Sequence, residues 1–398
     1  MLSSAAALGM VRLRLRRIDH LVLQGLGLEG LWRATPSTPP VECMHEEMRS
    51  VDTRMTPPDS RLSIQAAMRE LFPQVEARLS RFYQMQEYHL GWRDQTLQPT
   101  LLDPGKLVRP QLVLLACQAA GGDPTQALPL AAGVQLLHDF TLIHDDIEDD
   151  SATRRGRPTL WSIWGLAQGI NAGDGMFVLA HLALHRLSQA GVPAARVLAI
   201  LRRFDEIILQ VCEGQFLDIS FEGDLTRSPD DYLMMIGRKT AALIAGSCEL
   251  GAMVAGAEAM TTAALATFGQ SIGLAFQIED DLLGIWGHPE LTGKPRAADL
   301  YRRKVSLPIV YALTTSSERA ELARIYSQSN LDDRDVAAVL AILEATDAQA
   351  RCVEVAAQHH ATAFAALDQL EQIHTGSSAL TALNQLRALA FSLVGRRT

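Results

Sequence analysis

From about Ser60 onward, apolar residues recur at three- and four-residue intervals, the spacing of a helix face packed against neighbours. "RLSIQAAMRELFPQVEARLSRFYQM" opens this region, and "RKTAALIAGSCELGAMVAGAEAMTTAALATFGQSIGLAFQIEDDLLGIWG" dominates its middle. Several of these segments are apolar on most faces, which predicts helices buried inside a large bundle. Alternating β-branched runs are missing, so no sheet is expected. "GGDP" (121–124), "SPDD" (228–231) and "GHPE" (287–290) read as turns or helix starts. No internal repeat and no second domain breaks the pattern. The expected fold is one all-α domain over residues 60–398.

Residues 1–59 differ. They hold "LRLRR" (13–17), a glycine-rich apolar piece and "ATPSTPP" (34–40), without a sustained helical period. The charge order is wrong for a secretory signal. A disordered extension or a start assigned too far upstream is expected, with Met44, Met48 and Met55 as candidate starts. The arginines leave an organellar presequence as the alternative. No membrane span is expected.

Composition narrows the function. Of 398 residues, 48% are hydrophobic, enough for a sizeable core, and the net charge of −9 argues against a nucleic-acid partner, which calls for a basic footprint. Cys43, Cys117, Cys212, Cys248 and Cys352 are scattered without a CxxC pair. They read as thiols in a reducing compartment, the cytoplasm, rather than as a zinc site or disulfide frame.

Charge is concentrated in "IHDDIEDDSATRRGRPT" (143–159), with five carboxylates in six residues and three arginines after them. Like charges at helical spacing repel by roughly 0.2–0.5 kcal/mol per pair, so local stability does not explain the cluster. On a helix, Asp145 and Asp149 share one face about 6 Å apart and could grip the same ions. A second pair, Asp280 and Asp281, ends the apolar run "FQIEDDLLGIWG", and acid at a helix C-terminus opposes the macrodipole. Carboxylates without clustered His or Cys suit a hard cation such as Mg²⁺, which keeps waters and binds phosphate oxygens. A carboxylate-bridged di-iron bundle would need Glu-x-x-His pairs, and neither cluster has one. His144 points about 100° away from Asp145 around the helix and reads as a packing histidine.

Only four of the 36 basic residues are lysine: Lys106, Lys239, Lys294 and Lys304, in "PGKLVRPQL", "GRKTAALI", "TGKPRAADL" and "RRKVSLP". An ammonium is a compact point charge able to approach a phosphate where a planar guanidinium does not fit. With Arg109, Arg154 and Arg155 these lysines suit more than one phosphate group.

In order along the chain, "GKLVRP", "HDDIEDDSATRRGRPT", "INAGD", "CEGQFLDISFE", "RKTAALI", "FQIEDDLLGIWG" and "GKPRAADLYRRKVSLP" resemble the motifs of short-chain trans-isoprenyl diphosphate synthases over roughly residues 100–310. The resemblance implies an all-α homodimer of the isoprenoid synthase type, with a central cavity capped by the two acidic motifs. It implies condensation of isopentenyl diphosphate with an allylic diphosphate (dimethylallyl, geranyl or farnesyl), using Mg²⁺, three ions per site, with Mn²⁺ as a substitute. Asp145, Asp149 and Asp280 match the metal ligands, with Asp146 and Asp281 as neighbouring acids. Arg154, Lys239, Lys294 and Lys304 match residues that hold the allylic diphosphate. Lys106, Arg109, His138 and Arg155 match the isopentenyl diphosphate site. Thr240 and Gln277 match polar groups at the reacting centre, and Gln215 occupies a motif position without an assigned role.

The chain departs from this pattern at Gly284, where the second motif usually carries a third Asp, at "PGK" for Gly-Gly-Lys, and at Ala297 for a usual Gly. None of these removes a charged ligand. Phe140 and Thr141, five and four residues before Asp145, match the floor on which a growing tail stops. This, with the two-residue gap between Asp146 and Asp149, points to geranylgeranyl diphosphate (C20), with farnesyl diphosphate as the competitor. A class I terpene cyclase has little use for the group around Lys106, and a non-catalytic subunit tends to lose the acidic ligands. The C-terminal Arg396 and Arg397 read as a solvated end.

Overall fold

The computed structural model describes residues 58–103, 105–288 and 296–394. The expectations for residues 1–57, Lys294, Arg396 and Arg397 lie outside them. Eleven helices of twelve or more residues carry the described chain: α1 Pro58–Arg69, α2 Ala77–His89, α3 Val108–Ala119, α4 Leu128–Glu148, α5 Leu166–His185, α6 Ala194–Ser220, α7 Ala242–Ala255, α8 Ala259–Trp286, α9 Asp333–Ala345, α10 Ala348–Ile373 and α11 Ser377–Val394. Pro73 separates α1 from α2, as a residue that cannot continue a helix should. Ser228 caps the short helix Pro229–Ile236 through a capping box with Asp231, and Asp123 caps the turn Pro124–Ala127.

The interior helices are α7 and α8. α7 is flanked by α3, α6 and α8, while α8 packs along α10, and α4 lies against α5. Small residues permit the close crossings. A Cβ on Gly251 would sit 2.4 Å from the Val113 carbonyl oxygen, and one on Gly273 would sit 2.6 Å from the Ala241 Cα. The run 259–278 carries no charge, yet its Thr, Gln, Ser and Gly keep it moderately polar. No helix among the described residues is long and apolar enough to cross a membrane.

One element escapes the helical pattern. Thr153–Arg154 pairs antiparallel with Arg157–Pro158. The turn residues Arg155 and Gly156 both have positive φ, +52° and +73°, the signature of a type I′ hairpin. Arg157 fastens this hairpin to α2: its guanidinium lies 4.0 Å from the Tyr88 ring centroid and donates to the Tyr88 and Arg93 carbonyls.

Candidate active site

α4 carries the first acidic cluster. The helix ends at Glu148 with Asp149 as its C-cap, and the Asp149 N–H still bonds the Asp145 carbonyl at 2.9 Å. The two carboxylates therefore keep helical i, i+4 spacing at the negative end of the macrodipole. Asp280 and Asp281 lie deeper in their helix than the sequence pattern implied, because α8 continues to Trp286. The dipole penalty thus falls mainly on the first cluster. Burial pushes the Asp145 carboxyl up to about 6, with Asp149 and Glu148 adding repulsion against the pull of Lys239 and Arg154. Burial also raises Asp149, Lys239 opposes it, and Asp218 adds to the rise.

Two other acids of that run have partners of their own. Asp146 is buried, and Arg154 Nε donates to it at 2.7 Å. Glu148 accepts from Gln215 Nε2 at 2.6 Å, which gives Gln215 a contact that the sequence does not reveal. His144 fits the notch left by Gly173 on α5 and packs edge-on against Phe140, so it is a packing group.

Facing α4 is a π-turn, Gly237–Ala241, a local widening often found at functional positions. It presents Lys239, whose Nζ donates to Asp218 Oδ2 at 2.5 Å. Burial alone would lower the pKa of this ammonium, but Asp218, Asp145 and Asp149 reverse the direction, so it stays charged. α6 approaches so closely that a Cβ on Gly214 would sit 2.1 Å from the Lys239 backbone nitrogen. The next residue, Thr240, donates its hydroxyl to Gln277 Oε1 at 3.0 Å.

On α8, Asp280 is partly exposed while Asp281 is fully buried. Asp281 accepts from Tyr232 and from Lys304 Nζ, the latter at 3.0 Å, and Gln277 Nε2 lies 3.4 Å away. Burial raises its pKa, against the pull of Lys304. Lys304 is thus held at one end of the acidic cluster.

The third group gathers at the start of α3. Arg109 Nη1 lies 3.2 Å from His138 Nε2. Burial, then Arg109 and Arg155, drive His138 well below the ordinary histidine range, so the ring is neutral and accepts this bond. Burial lowers Arg109 to about 10, still charged at neutral pH, with Asp139 supporting the charge. The tip of the hairpin places the Arg155 guanidinium against Gly105, 3.6 Å from where a Cβ would stand, beside Lys106. Gln111 Nε2 donates to the Lys106 carbonyl at 2.5 Å and fixes the loop. His138 and Asp145 lie seven residues apart on α4, about 10 Å along its axis. Arg109 and Arg155 thus lie within electrostatic reach of His138, beside the loop that carries Lys106.

Below Asp145 lies an aromatic file. The Phe140 ring lies tilted against Phe177 at 5.1 Å, Phe177 is tilted against His181 at 4.5 Å, and His181 meets Phe204 edge-on at 5.4 Å, with His181 Nε2 2.9 Å from Asp205 Oδ1. Phe177 and His181 add to Phe140 a layer that the sequence signalled only as helical periodicity. The Thr141 hydroxyl is taken up by the His138 carbonyl.

Among the described residues, no three His, Cys, Asp or Glu side chains converge tightly enough to chelate an ion unaided. The donors nevertheless fit a hard cation shared with substrate oxygens and waters: all are carboxylates, and a cation would offset the burial that holds the Asp145 carboxyl up.

Residues 91–343 match the family model for polyprenyl synthetase. The chain is 47% identical over 243 residues to a geranylgeranyl diphosphate synthase of Mycobacterium tuberculosis, covering 61% of this chain and 68% of that one. It is 41% identical over 281 residues to a (2E,6E)-farnesyl diphosphate synthase of Mycobacterium bovis, covering 69% and 76%. The crystal structure of a polyprenyl synthetase from Streptomyces coelicolor A3(2) superposes with a TM-score of 0.74 at 34% identity, covering 84% and 97%.

Proposed function

The chain belongs to the polyprenyl synthetase family, and on that premise we propose that it condenses isopentenyl diphosphate with allylic diphosphates and stops at geranylgeranyl diphosphate. It is a trans-prenyltransferase of the short-chain group; the C20 end point is the finer reading. The observation that carries it is the aromatic layer of Phe140 on Phe177, one helical turn and a half below Asp145.

Asp145, Asp149 and Asp280 would hold Mg²⁺, which when bound offsets the charge gathering on the departing diphosphate. Lys239, Arg154, Lys294 and Lys304 would bind the same diphosphate. Arg154 now pairs with Asp146 and Lys239 with Asp218, so each is already aimed along a carboxylate before substrate arrives. Lys106, Arg109, Arg155 and neutral His138 would take isopentenyl diphosphate. The allylic C–O bond breaks with its electron pair leaving on diphosphate. The Gln277 carbonyl, oriented by Thr240, offers a fixed dipole to the resulting cation. The isopentenyl double bond attacks that carbon, and the released diphosphate takes the proton lost afterwards. The apolar helix walls exclude water, which would otherwise quench the cation.

α5 exposes Leu166, Ile170, Val178 and Leu182, and α6 exposes Leu198, Leu209, Phe216 and Ile219, an apolar face suited to a homodimer. Sedimentation at dimer mass supports this, and a monomer at micromolar concentration refutes it. The unpaired Cys117, Cys212, Cys248 and Cys352 suit the cytoplasm.

Incubation with Mg²⁺, isopentenyl diphosphate and each allylic primer, read by mass spectrometry, tests the reading. Elongation to C20 supports it and a C15 end point favours farnesyl diphosphate synthesis. A hydrocarbon or alcohol from one diphosphate indicates a cyclase, and no turnover indicates a non-catalytic subunit.

A further inference from the structure

Gly284 lies four residues after Asp280 on α8, hence on the same helix face. A Cβ built there would sit 2.1 Å from Asp299 Oδ2 and 2.5 Å from its Cγ. Asp299 belongs to the short helix Ala298–Tyr301, and its side chain is only 8% exposed. Its carboxylate therefore fills the space that any side chain at position 284 would need.

From that space, Asp299 engages Lys304 twice. The Lys304 N–H bonds the Asp299 carbonyl at 2.9 Å, and its Nζ lies 3.7 Å from Asp299 Oδ2 and 3.0 Å from Asp281 Oδ1. Two left-handed residues, Ala297 at φ +56° and Arg303 at φ +54°, bracket the segment and fix its path. Arg303 is anchored by Nη1 to the Gln328 carbonyl at 2.6 Å.

We propose that Asp299 is the positioning residue for Lys304, and that the bare glycine at position 284 leaves the space its carboxylate occupies. The acidic cluster of α8 is thus completed in space by a carboxylate from another segment. This rests on the reading of Lys304 as a ligand of the allylic diphosphate. It carries a counterintuitive consequence: Gly284→Asp, which supplies the acid that the second motif usually has, would evict Asp299 and release Lys304.

Four variants test this: Lys304→Ala, Asp299→Asn, Gly284→Asp and the double variant Gly284→Asp/Asp299→Gly. Binding of farnesyl thiodiphosphate with Mg²⁺ is measured by calorimetry, alongside KM for each substrate and melting temperature. Asp299→Asn keeps the shape against Gly284 and removes the charge. Because the side chains meet as a partly exposed ion pair at 3.7 Å, it should weaken the analogue about two- to fivefold at unchanged melting temperature. KM for isopentenyl diphosphate should stay within about twofold, as a separate pocket requires. Gly284→Asp should weaken the analogue at least as much, and the double variant should regain binding, because the new aspartate takes over Lys304. Wild-type binding by Asp299→Asn or Gly284→Asp, or no recovery in the double variant, overturns the interlock. If Lys304→Ala itself leaves binding unchanged, the underlying reading of Lys304 is what fails.

Discussion

Asp145→Asn should stabilise the ion-free protein while disabling it. Burial holds the Asp145 carboxyl near 6 against an ordinary value of 3.8. At about 1.4 kcal/mol per pH unit, ionising it in the folded state costs about 3 kcal/mol at neutral pH, and partial solvent screening reduces this to about 1–2 kcal/mol. Between pH 3.8 and 6 the folded chain binds more protons than the unfolded one, so this group's contribution to stability falls as pH rises through that window and stays low above it. Asn removes both the desolvation cost and the repulsion from Asp149 and Glu148. The assay is thermal melting of wild type and variant from pH 4 to 8, with and without Mg²⁺ plus inorganic diphosphate. At pH 7.5 without ions, the variant should melt about 1–3 °C higher, a gap that closes toward pH 4. Mg²⁺ with diphosphate should raise the wild-type melting temperature and move the variant much less. Prenyl transfer by the variant should fall by about two orders of magnitude or more. A variant that melts lower than wild type at pH 7.5 without ions would refute the picture of an Asp145 carboxylate disfavoured by burial and relieved by a bound cation.

Phe140→Ala should lengthen the product beyond C20, and Phe177→Ala should do so less, because Phe177 supports the floor from behind; unchanged product mass in both would remove the floor from the aromatic file. Gly214→Ala should push the π-turn that carries Lys239, costing about 1–3 kcal/mol of stability and at least about tenfold in kcat, read by denaturant melts and initial rates. Arg157→Lys should loosen the hairpin by about 1–3 kcal/mol, since Lys cannot both cover the Tyr88 ring and reach two carbonyls. Its kinetic sign should be a raised KM for isopentenyl diphosphate through displacement of Arg155; an equal rise for the allylic substrate would count against that route.

Most of the bundle is legible in the spacing of apolar residues, because helices buried on most faces leave little room for another assignment. The i, i+4 relation of Asp145 and Asp149 and the seven-residue offset to His138 follow from one unbroken helix, α4. Other features depend on packing between distant segments and leave little trace in one dimension. The Arg155–Gly156 hairpin has strands of only two residues, too short for alternation to register. Asp218 stands in a quoted motif, yet its link to Lys239 appears only when α6 crosses the π-turn. Gly284 reads in sequence as the loss of a third Asp that removes no charged ligand, whereas in space it is the socket for Asp299. The extension of α8 to Trp286 was hidden because "LLGIW" is equally compatible with a helix end.

The most direct test of the proposed end point starts from farnesyl diphosphate as the only primer, with excess isopentenyl diphosphate and Mg²⁺, and product mass followed over time. A single condensation to a C20 diphosphate that then persists is the expected result. Failure to extend farnesyl diphosphate, or continued growth to C25 and beyond, would contradict it.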